Sequence, residues 1–333
     1  MFLLHRELVR RGVDSTVLAC SAELIRRCAA AGLAARPLPG ARPWRPSVIQ
    51  AVRATVSSDH LVHAHDPHSA ALAAACRLAG RGRATVCHRR VSFPVRRPAR
   101  RLTYRGVNRW IAVSQEIRSI LVAAGVPTFR VAVVPSAVDL EAVAVACSEA
   151  TGGGSADDEV RIAAVAALDP HKGHEVLLAA LPSILAAEPG LRCLVVGDGP
   201  NRTRLERAAA AAGIAGAVRF LGHRDDVPAV MRRCRVVVAP SLAGEGSSAV
   251  LKEAMAVGTP LVASSLGANL EVVGDACLAV QPGDPRALAD AVVRLLRDPA
   301  LSAELVRRGR SGVQRFTPES MTDATLEVYG EVV

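Results

Sequence analysis

The sequence predicts an α/β protein with two parallel-sheet domains. Three observations carry this expectation. Short β-branched runs bounded by Gly, Pro or Asp alternate with amphipathic Ala/Leu/Arg stretches. The chain has 333 residues, more than the ~100–200 of one ordinary domain. Charge also changes sign near the midpoint: residues 1–150 carry a net +13 and the remainder a net −3, within an overall +10.

The elements follow in order. The chain opens in a helical pattern, Leu3–Arg11, closed by Gly12. Strands are expected at Ser15–Ala19, His60–Ala64, Ala84–His88, Trp110–Val113 and Val131–Val134. The second half continues with Val160–Ala166, Arg192–Val196, Ala217–Leu221, Val236–Ala239 and Pro260–Ala263. Apolar residues three and four apart mark helices at Leu177–Leu185, Arg204–Ala212 and Pro285–Leu296. Alternation at this spacing gives doubly wound sheets covered by helices on both faces. Residues 151–158, Thr-Gly-Gly-Gly-Ser-Ala-Asp-Asp, read as a flexible linker. The domains are therefore placed at 1–150 and 159–317. Residues 318–333 form a C-terminal helix expected to return toward the first domain.

Composition excludes several classes. With 50% hydrophobic residues the chain has enough apolar area to offset the entropy of ordering, so it is not disordered. Its eight Cys are scattered without a CxxC pair, which fits reduced thiols in the cytoplasm rather than a disulfide scaffold. No charge-free apolar stretch reaches about 18 residues, and Arg6, Glu7, Arg10 and Arg11 interrupt the only N-terminal apolar run. Arg81–Arg109 holds ten Arg, with no acid between Asp66 and Glu116. That stretch suits an anionic membrane surface or a phosphate-bearing acceptor, with a merely solvated face as the plain alternative. Nucleic acid is disfavoured because few aromatics accompany the Arg. Lys occurs only at 172 and 252, against 39 Arg, which hints that an ammonium is wanted at each.

The most informative segment runs from Pro240 to Ala263. It follows a buried strand and places Glu245 and Glu253 eight apart. A helix starting near Ser247 would aim its first amides back at the loop and form an anion site. Glu245 would then stand beside the anion, and Glu253 about two turns into the helix. The plain alternative is a capping Glu245 and a solvated Glu253. Among the histidines, His63 and His65 share a strand face, but His68 lies beyond Pro67 and no carboxylate or Cys cluster accompanies them. No metal is expected there. Gly197-Asp-Gly199 lacks the third Gly of a dinucleotide fingerprint and follows the wrong strand for one.

Segment 240–263 resembles the E-x7-E region of retaining GT-B glycosyltransferases of family 4. Leu168-Asp-Pro-His-Lys-Gly-His174, Val195-Val-Gly-Asp-Gly-Pro200 and Phe220-Leu-Gly-His-Arg-Asp-Asp-Val227 are similar to further family segments, in family order. Gly258-Thr-Pro260 and Gly267-Ala-Asn-Leu-Glu-Val-Val273 follow. In the first half, Val62-His-Ala-His-Asp-Pro67, Ile111-Ala-Val-Ser114 and Val133-Val-Pro-Ser-Ala-Val-Asp139 match as well. The resemblance implies two facing Rossmann-like domains with a central cleft and a nucleotide diphosphate sugar held mainly by the second. It implies that Lys172 neutralises the diphosphate and that Glu245 binds sugar hydroxyls beside Gly246, Ser247, Ser248 and Ala249. Glu253 would hold the ribose, and His223 and Arg224 would border the base. On the acceptor side it points to His65 and Asp66, and to His88 near the donor sugar. No metal or other cofactor is expected.

The implied activity is sugar transfer to a glycan or glycolipid in cell-surface polysaccharide or lipopolysaccharide synthesis. The expected location is the cytoplasm, with peripheral attachment at the inner face of the plasma membrane. Two alternatives stay open: a non-catalytic sugar-nucleotide-binding protein, and a sugar-nucleotide epimerase. The sequence departs from the family pattern in places. Ala166-Ala167 replace the usual Gly-Arg, and a first strand with its Gly-rich loop is not found ahead of Leu3.

Overall fold

All ten β-branched runs named above are strands in the computed structural model, which describes residues 1–40, 42, 45–78, 80–92, 106–149 and 160–333. They are β1 (Val17–Ala19), β3 (Leu61–Ala64), β4 (Ala84–Arg89), β5 (Arg109–Ala112) and β6 (Val131–Val133) in the first half. The second half holds β7 (Arg161–Val165), β8 (Arg192–Val196), β9 (Val218–Gly222), β10 (Val236–Ala239) and β11 (Leu261–Ser264). Two strands were not foreseen, β2 (Ala35–Pro37) and β12 (Leu278–Val280). Each has three residues and lies at a sheet edge, too short to show a period.

Two compact units result: Met1–Ala137 with Phe316–Val333, and Val138–Arg315. The division falls earlier than the expected boundary at 150, and the expected linker, 151–158, lies outside the described residues. The reason is the helix Leu140–Glu149. It packs on the helices Val227–Arg232 and Ala249–Val257, and Cys147 Sγ reaches the Pro228 carbonyl oxygen at 3.9 Å.

In the first unit, β1 pairs with β2, and a second parallel set runs β3-β4-β5-β6. The C-terminal helix Pro318–Gly330 lies against the opening helix Phe2–Arg10. Leu4, Leu8, Met321 and Val328 bury together with Val86 and Ile111 of the sheet.

The second unit is one parallel sheet in the order β12-β11-β10-β7-β8-β9. Its core gathers Ile162, Leu177, Leu181, Ile184, Val236, Val262, Leu288 and Val292, all buried. Local chemistry sets the helix starts. At Asp284-Pro285, Asp298-Pro299 and Thr317-Pro318 the side chain accepts first-turn amides, and Pro fills a position that needs no donor. Truncating a core side chain here, Leu181→Ala, is expected to cost about 2–5 kcal/mol, read as a lower urea midpoint at constant m.

The strand order places the site. From β7 the chain steps to β8 and β9 on one side, while β10, β11 and β12 lie on the other. The crevice between the carboxyl ends of β7 and β10 is therefore a topological switch point, where connecting loops diverge and leave room for a ligand.

Candidate functional site

The loops after β7 and β10 meet at this switch point. Backbone bonds lock them together: the Leu242 amide donates to the His171 carbonyl oxygen at 2.8 Å. Gly173 makes the approach possible. It has φ +70°, and a Cβ there would stand 1.9 Å from the Pro240 carbonyl oxygen. Gly173→Ala is therefore expected to force the two loops apart. It should cost well over 1 kcal/mol, and the urea midpoint should fall by a corresponding amount.

This contact brings Lys172 and Glu245 together. Lys172 Nζ donates to Glu245 Oε1 at 2.7 Å, and Ser241 Oγ donates to the same oxygen at 2.6 Å. The carboxylate is nearly buried, at 10% side-chain exposure, and the ammonium keeps 21%. A charge-assisted pair at this depth is held in one geometry rather than averaged over many. Glu245 Oε2 makes no hydrogen bond among the described residues.

The helix after this loop is Ala249–Val257, capped by Ser248, whose Oγ accepts the Leu251 amide at 3.4 Å. Gly246, Ser247 and Ser248 therefore precede the helix, and Ala249 opens it. Because the helix starts later than expected, Glu253 lies about one turn in rather than two. Among the described residues Glu253 has no hydrogen-bond partner, and burial pushes its carboxyl up to about 7. A half-buried carboxyl without donors is a site awaiting them.

Lys252 was noticed in the sequence for its rarity but given no role. It is fully buried, and its Nζ donates to Ser247 Oγ and, at 3.4 Å, to the Ser247 carbonyl oxygen. The ammonium thus ties the loop beside Glu245 to the helix behind it. Its burial was not legible because Lys on an amphipathic helix ordinarily faces water. Lys252→Met, which keeps the stem and removes these bonds, is expected to raise the KM for a nucleotide ligand more than it lowers kcat.

His223 and Arg224 follow β9, the edge strand on the far side of β8. Arg224 makes a two-pronged bond to Asp226, at 2.7 and 2.6 Å, and His223 is exposed beside Asp225. Among the described residues neither is hydrogen-bonded or ion-paired to Lys172 or Glu245. The Gly197-Asp198-Gly199 turn is structural. A Cβ at Gly197 would lie 1.9 Å from the Ala166 carbonyl oxygen, so the glycine lets this turn pack on the loop that carries Lys172.

In the first unit, Asp66 caps the helix Pro67–Leu78. Its Oδ1 accepts the His68 and Ser69 amides at 2.8 and 2.9 Å. The Asp-Pro-x-Ser pattern carried that signal. His65 and His88 come together with His63, whereas His68 starts the helix and stays apart. His88 is 1% exposed, and burial first, then Arg90, holds its imidazole well below the usual range. Of the Arg-rich stretch, 93–105 lies outside the described residues. Arg90 donates to Ser136 Oγ at 2.9 Å, and Arg109 is engaged by Glu331 and the Phe129 carbonyl oxygen. No helix among the described residues is long and apolar enough to cross a membrane.

Comparison with known proteins places this geometry. Residues 159–298 match the family model described as glycosyl transferases group 1, and residues 1–142 match the one described as glycosyltransferase family 4. Each model covers less than half of the chain, and together they show similarity to glycosyltransferases along most of its length. Among curated relatives, the phosphatidyl-myo-inositol mannosyltransferase of Mycobacterium leprae is 39% identical over 168 residues, covering 49% of this chain and 44% of the relative. The D-inositol 3-phosphate glycosyltransferase of Salinispora arenicola is 34% identical over 185 residues, 52% of this chain and 41% of the relative. The chain thus spans less than half the length of these relatives in either match. The solved structure of Anabaena Alr3699/HepE in complex with UDP and glucose superposes at TM-score 0.84 with 21% identity, over 99% of this chain and 95% of that one. Sucrose-phosphate synthase of Thermosynechococcus elongatus superposes at 0.80 with 22% identity, over 98% and 91%. The chain therefore has the GT-B fold, with two Rossmann-like units as expected from its motifs.

Proposed function

We propose that this chain is a retaining glycosyltransferase of family 4 that moves a sugar from a nucleotide diphosphate sugar to a glycan or glycolipid acceptor. The observation that carries the reading is the convergence of Lys172 and Glu245 at the switch point of the second unit. An ammonium beside a helix start suits a diphosphate, because both supply positive potential to an anion. In this reading Lys172 turns from Glu245 to the leaving diphosphate and stabilises the charge that grows on it. Amides of Gly246, Ser247, Ser248 and Ala249 lie alongside. Glu245, released from the ammonium, accepts hydroxyls of the donor sugar. Glu253 accepts the two ribose hydroxyls, which satisfies its unpartnered carboxylate. His223 and Arg224 border the base.

The first unit takes the acceptor, through His65 and Asp66, with His88 as a neutral imidazole able to hold a proton. Catalysis in this scheme is positioning and charge stabilisation on one face of the sugar, without a protein nucleophile or a metal at the donor. The activities named for the relatives support an acceptor with a phosphate on an inositol ring, free or on a lipid. A cell-surface polysaccharide or lipopolysaccharide acceptor, attached at the inner face of the plasma membrane, is the wider class.

The test is turnover of UDP-, GDP- and ADP-sugars with acceptor extracts and with inositol phosphates, the product's anomeric configuration being read by proton NMR. Transfer with the donor's configuration kept supports the reading. Inverted product contradicts the retaining mechanism. Donor conversion without acceptor favours an epimerase, and binding without turnover favours a non-catalytic sugar-nucleotide protein.

A further inference from the structure

Three histidines of the first unit converge, and the proposed transfer chemistry leaves their meeting unexplained. His63 and His65 lie two apart on and just beyond β3, so both rings leave the same face. His88 lies on β4, the neighbouring strand, where Ala64 stands level with Cys87. The ring centroids are 4.2 Å apart for His63 and His65, 5.4 Å for His63 and His88, and 5.6 Å for His65 and His88. One nitrogen from each ring lies within 4.8 Å of the others.

Among the described residues, His63 Nε2, His65 Nδ1 and at least one nitrogen of His88 are buried without a hydrogen-bond partner. Buried polar atoms are nearly always paired, so several unpaired nitrogens aimed at one point call for a common partner.

We propose that His63, His65 and His88 bind a divalent transition ion of the zinc class. The ligand atoms are His63 Nε2, His65 Nδ1 and one nitrogen of His88. Imidazole ligands without a carboxylate select zinc, copper, nickel or cobalt over magnesium or calcium. Tyr329 supplies the outer contact: its hydroxyl lies 2.6 Å from His63 Nδ1. Accepting that N–H fixes the tautomer that leaves Nε2 as the ligand. Ring rotation must draw the nitrogens to about 3.3 Å of one another for Zn–N bonds of about 2.0–2.1 Å.

Arg90 decides the fourth position. Its Nη1 is held by Ser136, and its Nη2 is buried without a partner. A guanidinium beside three imidazole ligands disfavours a bare cation and favours one that carries an anion, hydroxide or chloride. The sequence reading of this region paired His63 and His65 with His68 and found no site. The third ligand comes from the next strand instead. Bound metal would occupy His88 and so inhibit the proposed transfer.

The experiment is titration of the whole chain, stripped with chelator, with cobalt(II) followed by visible absorption and with zinc by calorimetry. A Cys20→Ser background removes the exposed thiol. One equivalent of cobalt with an intense four-coordinate spectrum is expected. His65→Ala and His63→Ala should lose at least about tenfold in affinity. Tyr329→Phe, which keeps the ring, should lose about 10–100-fold. Circular dichroism checks each fold. If a His variant does not fold, Tyr329→Phe alone decides. Absence of saturable binding, wild-type stoichiometry in folded His65→Ala, or unchanged affinity in Tyr329→Phe overturns the proposal.

Discussion

Glu245→Gln is expected to bind nucleoside diphosphate at least as tightly as the unaltered chain while losing sugar transfer by about 10²–10³-fold. The opposite signs follow from the pair at 2.7 Å. Without donor, the carboxylate holds the Lys172 ammonium. Removing its charge releases the ammonium to a diphosphate, and removes the acceptor that would grip the sugar hydroxyls. Calorimetry with UDP and GDP reads the first effect, and product release from the donor sugar reads the second. Lys172→Ala should act differently, weakening diphosphate binding and transfer together. It also leaves Glu245 nearly buried with only Ser241 beside it, so its stability must be measured alongside.

The second large effect is a pH dependence at Glu253. Its folded pKa of about 7 lies above the ordinary carboxyl value of 4.5, with burial as the cause. Between those values the folded chain holds a proton that the unfolded chain has lost, so stability falls as pH rises through this window. The full shift corresponds to roughly 3–4 kcal/mol, gone by about pH 8. Glu253→Gln should abolish this slope, leaving Tm unchanged at pH 4.5 and several degrees higher at pH 8. Nucleotide binding should show the complementary trend. A carboxylate accepts two ribose hydroxyls better than a carboxylic acid does, so affinity should rise from pH 6 to pH 8. In Glu253→Gln it should be weaker and flat. A nucleotide affinity with the same pH profile in both proteins would remove Glu253 from the ribose.

Much of this was legible because it is local. The strands announce themselves as β-branched runs, and Asp284-Pro285 and Thr317-Pro318 write their helix starts into neighbouring residues. Lys172 and Glu245 each stand in a recognisable loop, and parallel strand order brings those loops face to face. What escaped depended on packing. Lys252 sits on a helix whose pattern does not reveal which face is buried. His88 joins His63 and His65 only through the register of β3 and β4. Asp66 was read for an acceptor contact, and the structure adds a second task that its neighbours also spell, capping the helix that follows. The helix Leu140–Glu149 went with the second unit because of its contacts, which no composition shift records.

The central claim is that Lys172 receives the diphosphate of a nucleotide sugar. Paired calorimetric titrations of the unaltered chain and Lys172→Ala, with a nucleoside diphosphate and with the parent nucleoside, test it most directly. The account predicts a loss of at least about tenfold in diphosphate affinity and little change for the nucleoside. Equal diphosphate affinity in the two folded proteins would contradict it.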